Sequence, residues 1–208
     1  MARISVIYYS ATGSTFQLAE AIAEGARSAG SEVRLRKVTE TAPAEAIAAN
    51  PAWQQHTDAT NHIPVASPDD LEWADGFVFG TPTRFGLPAG QMKQFIDGLG
   101  GLWAQGKLQD KAAGAFGGAG NLHGGQEATL LALQNMFYHW GAIIIPVGYT
   151  DPAQYKAGGN PYGVSFTHVR GEQQPETTLA AARHQGKRIA KFAAILAESR
   201  NNMAATTG

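Results

Sequence analysis

The sequence predicts an α/β domain: one parallel sheet with helices on both faces, a three-layer sandwich. Two observations predict it. Short apolar runs rich in β-branched and aromatic residues, at 4–9, 76–82 and 143–147, have the composition of strands covered on both sides. Between them lie segments whose apolar residues recur at helical spacing, and strands alternating with helices imply parallel pairing.

Taken in order, Ile4, Val6, Ile7, Tyr8 and Tyr9 form a central strand. From Thr15 the period changes, with Phe16, Ala19, Ala23 and Ala26 on one helical face until Gly30 stops the helix. Val33 and Leu35 alternate with charged residues, which suits a strand near a sheet edge. Residues 76–82, GFVFGTP, read as the third strand, and 90–99 as a short helix with Met92, Phe95 and Ile96 facing inward. AAGAFGG at 112–118 is a small-residue strand ending in a glycine-rich turn. Residues 126–140 then place Leu130, Leu133 and Phe137 on one helical stripe, 143–147 supplies the fifth strand, and Leu179, Ala182, Ile189, Ala193 and Leu196 mark a long C-terminal helix. Right-handed crossovers favour five strands in the order 2-1-3-4-5. In such sheets ligands bind beyond the carboxyl ends of the strands, where the order reverses. Two connections are long: 38–75, with a broken helix expected near 44–50, and 147–175, rich in Gly, Pro and Tyr.

Composition sets outer limits. The 208 residues fit one domain over 1–208 with a sizeable core. Lys and Arg number 16 against 17 Asp and Glu, so no basic field draws nucleic acid or an anionic membrane. The absence of cysteine removes thiolate metal sites and cysteine nucleophiles and fits a cytoplasmic setting. Apolar runs are too short for a leader or a membrane span.

The first candidate site lies between the first strand and helix, at Ser10, Ala11, Thr12, Gly13, Ser14 and Thr15. Unpaired N–H groups of a first helical turn point into such a loop and make an anion site. Four hydroxyls and a glycine that permits a tight turn add donors converging on one phosphate, with no lysine or arginine among them. The plainer reading is helix capping, which needs one hydroxyl rather than four. Two glycine-rich stretches are decoys. Gly101 to Lys107 has P-loop spacing, but Leu108 stands where the magnesium-binding hydroxyl belongs. Gly118 to His123 opens like a dinucleotide fingerprint, but His123 fills the third glycine position.

A second loop, TPTRFGLPAGQMKQFID at 81–97, follows the third strand and so borders the first. Thr83, Arg84 and Phe85 present a donor, a fixed cation and a flat apolar face, or else a turn with a solvated arginine and a core phenylalanine. His139 sits near a helix C-terminus, where an imidazole can simply meet the dipole. His56 and His62 lie in a polar loop without a recognisable ligand set, so no metal is expected.

The spacing Ser-x-Thr-Gly-x-Thr at 10–15 resembles the flavodoxin phosphate fingerprint, which implies flavin mononucleotide (FMN). GTPTRFG, GGLWA at 100–104, GGQE at 124–127, PVGY at 146–149 and NPYG at 160–163, in that order, resemble the WrbA family of flavodoxin-like NAD(P)H:quinone oxidoreductases. The resemblance implies that residues 10–15 hold the phosphate. It implies that Thr83, Arg84 and Phe85 contact the isoalloxazine, as does the loop Gly118, Ala119, Gly120, Asn121, Leu122, His123 and Gly124. His139 would reach the same site as a catalytic group orienting or protonating the quinone oxygen. Trp103 would line the substrate cavity across a homotetramer interface. Apart from the resemblance, Trp103, Tyr149, Tyr155 and Tyr162 fall in expected loops, where they could form subunit contacts or equally cover their own sheet. The implied reaction is two-electron: NAD(P)H passes hydride to flavin N5 and leaves, and a quinone takes both electrons in the same cavity, giving ping-pong kinetics. The chain departs from the family at Thr12, where an aromatic residue is common, and at Gly118 and Ala119, where hydroxyl residues are common. A one-electron carrier and a non-catalytic regulatory protein are the alternatives on such a fold. Carriers are typically strongly acidic, unlike this chain.

Overall fold

The computed structural model describes residues 1–169 and 172–206. Its sheet contains β1 (Arg3–Tyr8), β2 (Glu32–Lys37), β3 (Gly76–Arg84), β5 (Ala112–Ala119) and β6 (Ile143–Ile144), hydrogen-bonded in the order β2-β1-β3-β5-β6. This is the predicted 2-1-3-4-5 path, because β4 (Leu87–Pro88) is only an antiparallel return of the loop that ends β3. All pairings along the path are parallel, and the register is level. Ile4 pairs with Val33 and Gly76, Gly76 with Ala112, and Ala112 with Ile143. The level start brings the carboxyl ends of β1, β3 and β5 together at one rim of the sheet.

The fifth strand differs from expectation. Its ladder stops after Ile145, whose N–H donates to the Ala113 carbonyl at 2.9 Å. Pro146 has no N–H with which to continue. The chain leaves the sheet there, forms helix α8 (Pro152–Lys156), and returns as β7 (Ser165–Thr167), parallel to the far end of β5 from Gly117 to Ala119. The edge strand is therefore in two pieces, and the second piece reaches the rim. The 38–75 connection is also built rather than irregular: α2 (Ala44–Ala48), α3 (Pro51–Ala59) and α4 (Pro68–Trp73), with the break near residue 50 falling between α2 and α3.

One face of the sheet carries α1 (Ser14–Ser28) and α9 (Glu176–Thr206) over a core that includes Ile4, Val6, Tyr8, Phe116 and Ile189. These two helices meet closely. A Cβ on Gly25 would stand 2.0 Å from the Arg183 carbonyl oxygen, and one on Gly186 the same distance from that of Ile22. The other face carries α5 (Gly90–Asp97), α6 (Gly100–Ala104) and α7 (Gln126–His139). Its centre is an aromatic cluster of Phe77, Phe79, Phe137 and Trp140, with ring centroids 5.2–6.0 Å apart. Such pairs each add about 0.5–1.5 kcal/mol beyond area burial, which anchors the C-terminal half of α7. No helix among the described residues is long and apolar enough to cross a membrane.

Candidate functional site

At the rim, the loop from Ser10 to Thr15 turns from β1 into α1. Gly13 is the residue before the helix, with φ at 98°, in the positive range that a residue bearing Cβ rarely adopts. Having no side chain, it cannot cap, and no side-chain cap bond is made from that position. The Ser10 hydroxyl accepts from the Gly13 amide at 3.0 Å, and the first intrahelical bond is from Gln17 N–H to the Gly13 carbonyl. The amides of Ser14 and Thr15 therefore precede the helical ladder, as donors available to a ligand. Capping alone does not describe this loop. The donor set is neutral and lines one cavity, and its chemistry could hold a phosphate.

The loop opens into a cavity of about 320 Å³, lined also by Asn50, Trp53, Pro82, Thr83, Arg84, Gly118, Ala119, Gly120, Phe166 and His168. Each wall is fixed separately. Thr83 shares a 2.9 Å hydroxyl hydrogen bond with buried Thr129 on α7, and Thr81 accepts from the Ala89 amide at 3.0 Å, so the 81–89 turn is pinned at both ends. Arg84 lines the opening and donates to the Thr83 carbonyl at 3.2 Å. Gly118 faces the Phe166 ring from β7; a Cβ there would lie 2.4 Å from it. The small residue at 118 is thus the complement of the large one at 166.

Sequence reasoning missed Asn50, Trp53, Phe166 and His168 because they lie in the two long connections. Asn50 accepts from the Trp53 amide at 3.3 Å and so starts α3, with Pro51 as its first residue. Glu40 holds the Trp53 indole from behind. Its carboxylate accepts from Trp53 Nε1 at 3.2 Å, Tyr9 Oη at 3.0 Å and Gln91 Nε2 at 2.9 Å. Burial alone would raise the Glu40 pKa, but donors from Ala42, Gln91, Tyr9 and Thr41 outweigh it and hold the carboxyl below its ordinary value. The Tyr9 hydroxyl is pushed up, by burial first and by Glu40 next. His56 packs its imidazole beneath Gly13, with Nδ1 3.4 Å from where a Cβ would stand; burial, and then Lys37, lowers its pKa. Exposed His62 does not join it, and the described residues include no group of three or more side chains able to hold a metal.

Several expected site residues are elsewhere. Phe85, with φ at 53°, points fully into solvent rather than into the cavity. Asn121, Leu122 and His123 are exposed, and with Gly124 they fall outside the cavity lining, unlike Gly118, Ala119 and Gly120. The expectation that His139 reaches the same site is corrected for a single chain. The start of α7 abuts the 83–86 turn, and His139 ends that helix, 14 residues and about 20 Å away. There it lines a second pocket of about 340 Å³ with Trp103, Lys93, Asp97 and Met136, and its carbonyl accepts from Trp103 Nε1 at 3.0 Å. Trp103 is 56% exposed.

A family profile described as NADPH-dependent FMN reductase matches residues 2–154. The chain belongs to that family. Among its relatives, an "NAD(P)H dehydrogenase (quinone)" from Deinococcus radiodurans is 46% identical over 194 residues, covering 93% of this chain and 96% of the relative. One of the same name from Geobacter sulfurreducens is 43% identical, covering 93% and 98%. Among solved structures, a flavodoxin, WrbA-like protein from Agrobacterium tumefaciens is 27% identical, with a TM-score of 0.66 over 93% of this chain and 98% of that one. An archaeal flavodoxin, 19% identical with a TM-score of 0.62 over 92% of this chain and 98% of that one, shares the fold. The flavodoxin-like architecture and the WrbA resemblance read from the motifs agree with these relatives.

Proposed function

We propose that the chain is an FMN-dependent oxidoreductase that uses NAD(P)H to reduce quinones to hydroquinones. One observation carries the reading: a neutral cradle of first-turn amides and hydroxyls, left uncapped, opens into a cavity walled by Trp53, Thr83, Arg84 and the 118–120 turn. Ser14, Thr15 and the amides around them hold the phosphate, and the cavity walls take the ring. FMN held there would supply the two-electron chemistry, by which hydride from NAD(P)H and one proton from solvent would convert the quinone to hydroquinone. The chain's residues bind and orient. Arg84 lines the cavity and would bring a fixed positive charge to a flavin held there, favouring the added negative charge of reduction. The open side of the cavity admits one flat substrate at a time, so NAD(P)H and quinone alternate and the kinetics are ping-pong.

Trp103 and His139 serve the substrate from a neighbouring copy of the chain in a homotetramer. The support is that they lie a helix length from their own cavity, while Phe85 and Trp103 stand exposed where they can meet another copy. His139 then orients or protonates a quinone oxygen.

The test is an anaerobic flavin spectrum taken before NADH, after NADH and after benzoquinone. Bleaching by NADH and full return of absorbance on one equivalent of benzoquinone, with no other protein present, supports the reading. A flavin that NADH does not bleach contradicts it and favours a one-electron carrier.

A further inference from the structure

We propose that His168 is the charged partner of the phosphate cradle and that its protonation sets how tightly the chain grips FMN. The inference rests on the reading of the cavity as the FMN site. Position argues for it first. The His168 amide donates to the Ala119 carbonyl at 2.7 Å, tying the residue to the ring-side turn, while its Nδ1 lies 2.9 Å from Ser14 Oγ on the phosphate loop. The imidazole thus bridges the two loops that the cofactor must span, and it lines the cavity itself.

Charge argues for it next. A phosphate monoester carries about −1.5 to −2 near neutral pH, and the 10–15 loop brings only amides and hydroxyls to meet it. Among the described lining residues the other ionisable group is Arg84, which belongs to the 81–89 turn and donates to the Thr83 carbonyl. His56, beneath Gly13 on α3, does not line the cavity, and burial first and Lys37 next lower its pKa. His123 on the 118–124 loop and Glu172 beyond β7 are exposed and outside the lining.

The Ser14 hydroxyl supplies the coupling, since it has one proton to give. An unprotonated Nδ1 accepts that proton and turns it away from the phosphate. The imidazolium, protonated on both ring nitrogens, donates from Nδ1 to Ser14 Oγ instead, frees the hydroxyl proton for a phosphate oxygen, and adds a positive charge close to the dianion. Both effects tighten binding as the imidazole takes up its proton.

The test is a titration of flavin-stripped protein with FMN and with riboflavin, which lacks the phosphate, for the wild type and for His168→Gln. At about pH 6 the variant is expected to bind FMN about tenfold more weakly than the wild type, and at about pH 8.5 less than about threefold more weakly, because acid favours the charged imidazolium and alkali the neutral ring. The titration of free FMN is common to both proteins and cancels in the ratio. Riboflavin should bind both alike, which also reports that the variant keeps its ring site. His168→Lys should keep the preference for FMN at both pH values. A variant-to-wild-type ratio that does not change with pH overturns the proposal, as does a loss shared equally by riboflavin. If the wild type itself binds FMN no better than riboflavin, the phosphate-cradle reading falls and this proposal with it; a wild-type preference for FMN that His168→Gln leaves untouched overturns the proposal alone.

Discussion

The two pockets at opposite ends of α7 differ in how complete they are. The cavity at its start is closed by one chain, with walls drawn from the 10–15 loop, α3, the 81–89 turn, β5 and β7, each fixed by at least one hydrogen bond or close ring contact. The pocket at its end is formed by exposed Trp103 and His139, joined through one bond from the indole to a backbone carbonyl. The difference teaches that, on the proposed reading, one chain supplies every wall of the cofactor cavity, whereas the Trp103 and His139 pocket stays open at the surface. Changes at one end should therefore leave the other nearly untouched.

The largest effect expected is on the closed cavity. Gly118→Thr drives a side chain into the Phe166 ring and should destabilise the fold by about 1–3 kcal/mol through overpacking, read by urea denaturation. Combining it with Phe166→Ala should cost at least about 1 kcal/mol less than the two single changes added together, because the second removes what the first strikes. Additive costs would break the account of Gly118 and Phe166 as a complementary pair. Next, Gly13→Ala forces a Cβ onto a backbone at φ 98°. With a strain of about 1–2 kcal/mol, FMN affinity should fall about tenfold in a fluorescence titration.

At the other end, Trp103→Ala should raise the quinone KM while leaving FMN affinity within about twofold, since Trp103 lines none of the cofactor cavity of its own chain and is proposed to meet the substrate. A parallel loss of FMN would merge the two pockets. Arg84→Ala sharpens the comparison from within the cavity. It should lower the flavin's reduction potential by about 30 mV for each tenfold loss of preference for the reduced form, as measured by dye equilibration.

The smallest effect concerns Glu40, whose hydrogen bonds hold its carboxyl below the ordinary range. A carboxyl depressed in the folded state binds fewer protons there than in the unfolded chain. Its stabilisation is present above the ordinary carboxylate range and is lost as pH falls through that range towards the folded value. Glu40→Gln should thus cost about 1 kcal/mol or less at neutral pH, with the difference from the wild type shrinking in acid.

The sequence made legible what depends on neighbours along the chain. Ile4 to Tyr9 reads as a buried strand, Phe16 to Ala26 as a helix and Ser10 to Thr15 as the loop between them, because period and turn chemistry are local signals. Trp53, Phe166 and His168 were not legible, because their place is set by tertiary pairing. β7 is three residues long and owes its position to Gly117–Ala119, far back in the chain. His56 read as a loop residue, and only the return of α3 over the rim puts it beneath Gly13. One local signal was available all the same. The inserted helices α3, α4 and α8 open on Asn50-Pro51, Ser67-Pro68 and Asp151-Pro152, a capping side chain followed by proline. Weighing those pairs would have turned two long loops into helical insertions, though not into cavity walls.

A crystal structure of the protein grown with FMN tests the central claim most directly. The account predicts the phosphate within hydrogen-bond distance of the Ser14 and Thr15 amides, and the ring in the cavity bounded by Trp53, Thr83, Arg84 and Gly118. A phosphate seated elsewhere, or a ring lodged beside Trp103 and His139 of its own chain, would contradict it.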